Sequence, residues 1–165
     1  WALIQTMSNF GWELKGCKFR LELYGNDFGE LSNMCGNVNV SPWLGEEALI
    51  GRLSSADILY LPYWFDPDRK VDVQLCFPTK FATYIAAGRP IFYHGPKDSS
   101  VSNVMERYSV GVSCNDMSET AVENALERAI DIYSTGWASY VEGVHRARAE
   151  FNQERFFDNF RWLIS

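Results

Sequence analysis

The sequence predicts an α/β fold in which a doubly wound parallel sheet carries helices on both faces. Two observations support this class. Apolar strand-like runs alternate with segments of helical periodicity, and the strand-like runs end at glycine or proline. With 165 residues, of which 47% are hydrophobic, the chain is long enough to bury a core. We therefore expect residues 1–165 to form a single domain.

The first half of the chain is predicted to contain two helices and three strands. The expected elements are a helix at 2–14, a strand at 19–24, a short strand at 37–40, a helix at 46–53 and a strand at 57–61. The last of these strands is mostly apolar, which suits the centre of a sheet. The connection that follows, Tyr63 to Phe77, is long and charged, so we expect a loop that closes over a ligand.

The second half is predicted to continue the alternation and to end in two helices. The expected elements are a helix at 79–87, strands at 90–94 and 110–113 with a helix at 99–107 between them, a helix that Ser118 caps and that runs to Tyr133, and a helix at 137–163. The last helix is rich in aromatic residues, namely Phe151, Phe156, Phe157, Phe160 and Trp162. Two interpretations remain open: a part of the protein outside this chain covers these side chains, or the helix wraps its own domain.

Composition excludes several classes of function. The net charge of −6 argues against a general binder of nucleic acid or of anionic membranes. Four widely spaced cysteines and two histidines do not form a zinc pattern, so we expect no metal and reduced, packed thiols. No apolar run approaches the ~20 residues of a membrane span. A cytoplasmic location is expected.

The start of the helix at 79–87 is the strongest candidate site. Pro78 and Thr79 open this helix, and Gly88 closes it. Lys80 lies in the first turn, where the unpaired N–H groups already carry partial positive charge, and a lysine there is unfavourable unless an anion is close. The combination predicts a site for a phosphate or a diphosphate, and the alternative is an ordinary surface lysine whose solvated ammonium largely escapes the dipole. Thr83, one turn further on, could reach an attached sugar, although a mid-helix threonine more often bonds its own backbone.

Other candidates follow the predicted strands, because ligands of open parallel sheets gather at the carboxyl ends of the strands. These residues are Gly25, Pro42 and Trp43, Tyr63, Phe77 and His94. Trp43 could face a nucleotide base, but packing is the alternative. His94 could bond a ligand, and without a carboxylate partner in the sequence a structural role ranks ahead.

Two segments resemble a known family of enzymes. Residues 56–62 (ADILYLP) and 78–91 (PTKFATYIAAGRPI) resemble the C-terminal domain of GT-B-fold glycosyltransferases of the family-four, or group 1, type. That family has a similar hydrophobic strand before proline, followed by P-S/T-K-x-x-E-Y-x-A-x-G-x-P. Residues 109–112 and 147–151 are similar to its later strand and closing helix.

The resemblance implies a Rossmann-like half of a GT-B fold that binds a nucleotide-sugar donor, such as a UDP- or GDP-sugar, in an enzyme of polysaccharide biosynthesis. Lys80 and the amides around Thr79 would hold the diphosphate without a metal or another cofactor. Leu75, Cys76 and Phe77 would approach the sugar, largely through their backbone. Transfer would retain the configuration of the sugar.

The resemblance also implies that the chain is a fragment. The family opens this domain with a strand and a phosphate-binding loop, and a separate N-terminal domain binds the acceptor. Alone, this fragment is expected to be inactive, and any peripheral membrane association would come through the absent half.

Two positions depart from the family pattern. Thr83 stands where the family has a glutamate that bonds the ribose, and Leu75 stands where a second carboxylate is usual. The main alternative is therefore a noncatalytic nucleotide-binding or assembly module with a GT-B-like fold. A nucleotide-sugar epimerase has no sequence feature in its favour. A receiver domain would need an aspartate at a strand end, whereas Asp57 lies at the start of its strand.

Overall fold

The computed structural model describes residues 1–25, 31, 36–152 and 155. Cys35, most of the predicted terminal segment after Asn152, and the aromatic residues Phe156, Phe157, Phe160 and Trp162 lie outside the described residues.

Short elements make up the first part of the chain. They are α1 (Ala2–Asn9), β1 (Glu13–Leu14), β2 (Cys17–Lys18), β3 (Leu21–Tyr24) and β4 (Val38–Ser41). β1 and β2 form an antiparallel hairpin. β3 and β4 pair in parallel, with Leu21 opposite Val38.

Apart from one additional helix, α3, the remaining elements follow the order that the sequence predicts. They are α2 (Glu46–Ser55), β5 (Leu59–Pro62), α3 (Lys70–Leu75), α4 (Thr79–Ala87), β6 (Ile91–His94), α5 (Ser100–Tyr108), β7 (Gly111–Cys114), α6 (Glu119–Asp131) and α7 (Trp137–Glu150). β5, β6 and β7 form a parallel sheet in that order, with Ile91 paired to both Leu59 and Gly111. A turn of π-helix, Ile132–Gly136, joins α6 to α7.

Apolar side chains cover both faces of this sheet. On one face, Leu61 and Tyr93 pack with side chains of α4, α5 and α7. On the other, Phe92 and Cys114 pack with side chains of α1 and α6, and this second cluster also takes in Val38 of β4. Because successive residues of a strand point to opposite faces, one apolar strand supplies both clusters. The predicted α/β class with helices on both faces is confirmed.

The predicted helix at 2–14 is wrong in its second half. α1 ends at Asn9, and the backbone then takes positive φ at Gly11 (69°) and Trp12 (59°). Left-handed residues cannot continue a right-handed helix, so the chain turns into the β1–β2 hairpin. The two loop residues of that hairpin, Lys15 and Gly16, also have positive φ, as a tight hairpin turn requires.

The predicted loop from Tyr63 to Phe77 is also corrected, because it contains α3. A 3₁₀ turn, Pro67–Arg69, leads into this helix, and the Asp66 carboxylate accepts a hydrogen bond of 3.0 Å from the backbone N–H of Asp68. Aspartate followed by proline is a helix-start signal. The segment is therefore partly helical, and its closure over a ligand stays a prediction.

The expectation of packed thiols holds for one of the three described cysteines. Cys114 is buried, whereas Cys17 and Cys76 are exposed.

At the end of α7 the chain packs against its own domain. The Phe151 ring stacks on Phe77 at 5.5 Å between centroids and meets the edges of Phe81 and Tyr108. For this residue the structure favours the interpretation in which the terminal segment wraps its own domain. None of the described helices is long and apolar enough to cross a membrane.

Candidate functional site

The amino end of α4 is the predicted anion site, and its first turn has free donors. Pro78 is the N-cap and provides no side-chain hydrogen bond. The N–H of Phe81 donates to the Pro78 carbonyl at 3.0 Å, which leaves the amides of Thr79 and Lys80 without an acceptor in the helix. The Lys80 side chain is exposed and forms none of the ion pairs found among the described residues. Two amides and one ammonium group are therefore available to an anion.

The carboxyl end of α4 is capped by Gly88 and by Arg148 of α7. Gly88 adopts the left-handed conformation (φ 69°, ψ 36°), and its N–H bonds the carbonyls of Tyr84 and Ile85. The Arg148 guanidinium of α7 donates to the carbonyls of Ile85 at 3.1 Å and Ala86 at 2.9 Å. A cation at this end complements the helix dipole, so α4 is fixed at its carboxyl end while its amino end stays open.

The segment before α4 is tied to the carboxyl ends of the strands. The carbonyl of Cys76 accepts hydrogen bonds from the Tyr63 hydroxyl at 2.8 Å and from the Ser100 hydroxyl at 2.7 Å. Tyr63 directly follows β5, and its N–H donates to the carbonyl of His94 at the end of β6. These contacts bring together three predicted site residues: Cys76, Tyr63 and His94.

His94 is fully engaged by protein groups. Its Nε2 lies 3.0 Å from the carbonyl of Asp116, which can only accept, so Nε2 carries the proton. Burial lowers the pKa of His94, so the ring is neutral and Nδ1 accepts from the Tyr60 hydroxyl at 3.0 Å. Burial raises the pKa of Tyr60 to about 12, which keeps that hydroxyl protonated. Neither ring nitrogen is free for a ligand.

A second buried hydrogen-bond network fixes the start of α5 beside the carboxyl ends of the strands. The Tyr93 hydroxyl lies 2.6 Å from Ser99 Oγ and donates to the carbonyl of Pro96 at 3.0 Å. Ser99 Oγ in turn accepts the backbone N–H of Ser102 at 2.9 Å as the N-cap of α5. A Cβ at Gly95 would lie 2.6 Å from the Tyr63 Cβ, so only glycine fits there.

A cleft of about 190 Å³ opens between the segment after β5 and the turn after β6. It is lined by Trp64, Phe65, Asp66, Pro67, Lys70, Val73, Pro96 and Asp98. Lys70 forms an ion pair with Asp98 at 3.7 Å, and Gln74 donates to the same carboxylate at 3.0 Å. The cleft thus has a mostly apolar and aromatic lining with two carboxylates and one lysine that is paired with one of them, and it is smaller than the ~300–1,000 Å³ usual for ligand pockets.

The remaining predicted site residues differ in exposure and in position. Thr83 is half-buried, Leu75 is 78% exposed and Trp43 is 67% exposed. Pro42 is exposed after β4, and Gly25 is buried after β3. These last two follow the β3–β4 pair, and no hydrogen bond found among the described residues joins them to the rim of the main sheet.

Sequence reasoning missed Asp98, Ser99 and Ser100, which shape the rim and the cleft. Ser99 as an N-cap had a local signal, since serine is a preferred capping residue. Asp98 had none, because its partners Lys70 and Gln74 are 28 and 24 positions earlier in the sequence.

The comparison with solved structures gives a match to the crystal structure of WaaG, a glycosyltransferase involved in lipopolysaccharide biosynthesis, with a TM-score of 0.53 and 13% identity. The chain has the fold of one half of a GT-B glycosyltransferase. The alignment covers 93% of this chain and 48% of WaaG, so the chain spans about half the length of that enzyme. Neither a protein-family profile nor a curated protein sequence matches this chain.

Proposed function

We propose that this chain is the donor-binding domain of a glycosyltransferase that transfers a sugar from a nucleotide-diphosphate sugar to an acceptor. The observation that carries the proposal is the amino end of α4, where the amides of Thr79 and Lys80 lack helical acceptors and the exposed Lys80 side chain forms no ion pair within the part of the chain that the structure describes. The likeness of fold to a glycosyltransferase supports it. The acceptor would bind in a companion domain.

The chemistry of sugar transfer suits these donors. When the sugar leaves, negative charge grows on the diphosphate oxygens, and fixed N–H groups and an ammonium stabilise that charge in the transition state. Lys80 would supply the positive charge, so the reaction would need no metal. Pro78 and Phe77 would form the wall beside the diphosphate, and the transfer would retain the sugar's configuration.

The amino end of α4 and the cleft would bind different parts of the donor. The diphosphate belongs at α4, because the carboxylates of Asp66 and Asp98 would repel it from the cleft. The hydroxyl groups of a sugar are good hydrogen-bond donors to carboxylates. The cleft and the backbone at Leu75 and Cys76 would therefore bind the uncharged sugar of the donor. Thr83 would contact the ribose, and the exposed Trp43 would be available to the base.

The test is calorimetric titration with UDP, GDP, UDP-glucose and GDP-mannose. We expect binding of at least one pair, and Lys80→Ala should weaken it about ten- to a hundredfold, as loss of a charge-assisted contact of about 1.5–3 kcal/mol implies. Lys18→Ala is the matched control, because Lys18 is also exposed but lies in the β1–β2 hairpin. Equal effects of the two substitutions would refute the assigned site.

A noncatalytic module with the same fold is the second candidate, and the small cleft favours it. If this second candidate is right, the calorimetric titration should detect no binding of any compound in the panel, although the chain itself unfolds cooperatively. Joining the chain to the companion half from a GT-B enzyme would then give no sugar transfer.

A further inference from the structure

Tyr140 of α7 has a buried hydroxyl without a hydrogen-bond partner. The residue is 3% exposed, and its Oη has neither a donor nor an acceptor within the part of the chain that the structure describes. A buried polar group in this state is unfavourable, because it loses its bonds to water and gains none in return. Such a hydroxyl is a candidate for binding a ligand when groups of matching chemistry lie close to it.

Packing holds the Tyr140 ring in place. Its centroid lies 5.2 Å from that of Trp137, which in turn lies 5.2 Å from the centroid of the Tyr133 ring. The Tyr133 hydroxyl donates to the carbonyl of Asp57, just before β5. Ile85 of α4 belongs to the same apolar cluster as Tyr140. The ring cannot rotate to bring its hydroxyl into solvent without disturbing these contacts.

Two arginines lie close to this hydroxyl. The Arg148 guanidinium lies against Gly88, since a Cβ at Gly88 would be 2.6 Å from Arg148 Nη2, and Arg89 is the next residue. Burial is the main cause of the raised pKa of Tyr140, and the charges of Arg148 and Arg89 lower it, so both guanidinium groups are within electrostatic reach of the hydroxyl. Side chains from α7 and from the turn after α4 therefore converge here.

These three side chains have more hydrogen-bond donors than the protein has acceptors for them. Arg148 uses Nε and Nη2 on carbonyls at the end of α4, and Arg89 Nε donates to the carbonyl of Ser54 at 2.6 Å. Each guanidinium has five N–H groups, so each keeps donors for a further acceptor. Neither arginine forms an ion pair with a carboxylate of the described residues, including that of Asp57. This group of donors is suited to an acceptor that carries negative charge.

We propose that Tyr140, Arg89 and Arg148 bind the phosphate group of a ligand. A phosphate offers at least three acceptor oxygens, one for each of the three side chains, whereas a carboxylate offers two. The Tyr140 hydroxyl would donate to one oxygen and the two guanidinium groups to the others. Arg148 is exposed and Arg89 is half-buried, so a dissolved anion can reach the guanidinium groups, and a shift of one of these side chains would admit it to the hydroxyl.

This site is separate from the donor site of the proposed function. It lies at the carboxyl end of α4 and at the amino ends of β5 and β6, whereas Thr79 and Lys80 lie at the amino end of α4. The nine residues of α4 span about 13 Å. The inference therefore stands without the proposed function, and a substitution at one site should not change binding at the other.

The test is calorimetric titration of the Lys80→Ala chain at constant ionic strength, because this background removes the charge at the donor site. The probes are inorganic phosphate, glycerol 3-phosphate and acetate. We expect one phosphate per chain, with binding at least tenfold weaker for acetate, and at least tenfold weaker for phosphate after Tyr140→Phe or Arg89→Gln. The ratio of the affinities for phosphate and glycerol 3-phosphate shows whether the group is bound free or as an ester.

Ser102→Ala is the matched control. Ser102 Oγ is also buried without a partner among the described residues, but it lies in the first turn of α5, at the carboxyl ends of the strands. This substitution should leave the phosphate affinity unchanged. In phosphate-free buffer, Tyr140→Phe should unfold at the same urea concentration as its parent chain or at a higher one, because it removes a hydroxyl that has no partner.

Three results would overturn the proposal. One is no binding of phosphate by the Lys80→Ala chain. Another is an equal effect of Tyr140→Phe and Ser102→Ala on the phosphate affinity, which would place the phosphate elsewhere. The third is unfolding of Tyr140→Phe at a lower urea concentration in phosphate-free buffer, which would show that a protein group or a bound water already partners the hydroxyl.

Discussion

Arg148→Ala should destabilise the domain by releasing the carboxyl end of α4. The side chain donates to the carbonyls of Ile85 and Ala86, two of the last four in that helix, and places a positive charge at the negative end of the helix dipole. Ile85 keeps its bond from the Gly88 N–H, but Ala86 has no other donor among the described residues. Arg148 is exposed, so water would replace part of the loss.

The expected magnitude follows from these partners. Hydrogen bonds to a charged group contribute about 1.5–3 kcal/mol when buried, and exposure reduces this to a net cost of about 1–2 kcal/mol. For a domain of this size that corresponds to a fall in Tm of about 2–8 °C. Arg148→Lys should recover only the charge–dipole part, about 0.3–1 kcal/mol.

The assay is thermal and urea unfolding followed by circular dichroism, with Arg146→Ala as the control. Arg146 lies on the same helix, is exposed, and forms no side-chain hydrogen bond or ion pair among the described residues, so its loss should change stability by less than about 0.5 kcal/mol. If Arg148→Ala and Arg146→Ala unfold at the same urea concentration, the cap contributes nothing and the reasoning is refuted.

Three further predictions concern buried positions. Gly143→Ala should lower the free energy of unfolding by at least about 1–3 kcal/mol, because a Cβ there would overlap the Tyr108 carbonyl. Gly136→Ala is the control: the nearest atom to its Cβ would be 3.8 Å away, so this substitution should be neutral or stabilising in the same thermal and urea unfolding experiments. Because the pKa of His94 is lowered in the folded state, its contribution to stability is present above the ordinary pKa of about 6.5 and is lost as pH falls through the lowered value. Below pH 6.5, the free energy of unfolding of His94→Gln should therefore depend less on pH than that of the wild type. Tyr93→Phe should cost about 1–2 kcal/mol at pH 7. Because burial raises the pKa of Tyr93 to about 12, the wild type should lose this advantage between pH 10 and 12, which pH-dependent urea unfolding would detect.

The sequence predicted best where local chemistry decides the backbone. The bounds of α4 match the prediction, because Pro78 ends the preceding extended chain and Gly88 supplies the left-handed closing residue. It failed at the end of α1, where the apolar pattern continued past Gly11 and Trp12 although both residues turn the chain. Hydrophobic periodicity carries no information about φ, so a helix pattern can outlast the helix.

The site was predictable only in its local part. The free amides of α4 and the charge of Lys80 are consequences of a short stretch of sequence. The bonds that hold Cys76 come from Tyr63 and Ser100, 13 and 24 residues away, and no spacing rule connects these positions. Side chains that fix a backbone carbonyl across a fold can be recognised only once the strands have brought them together.

β5 is the element for which the sequence contains more information than the structure alone. Its apolar residues predicted a central strand, and in the three-stranded sheet it is an edge strand. An edge normally carries charges or irregularities that prevent pairing with other chains, yet the only such feature in β5 is Pro62 at its end. A strand with this sequence is adapted to neighbours on both sides. Amide hydrogen exchange tests whether that edge is open in solution, because a Tyr60 amide that faces away from β6 should exchange at least tenfold faster than the Leu61 amide, which faces β6.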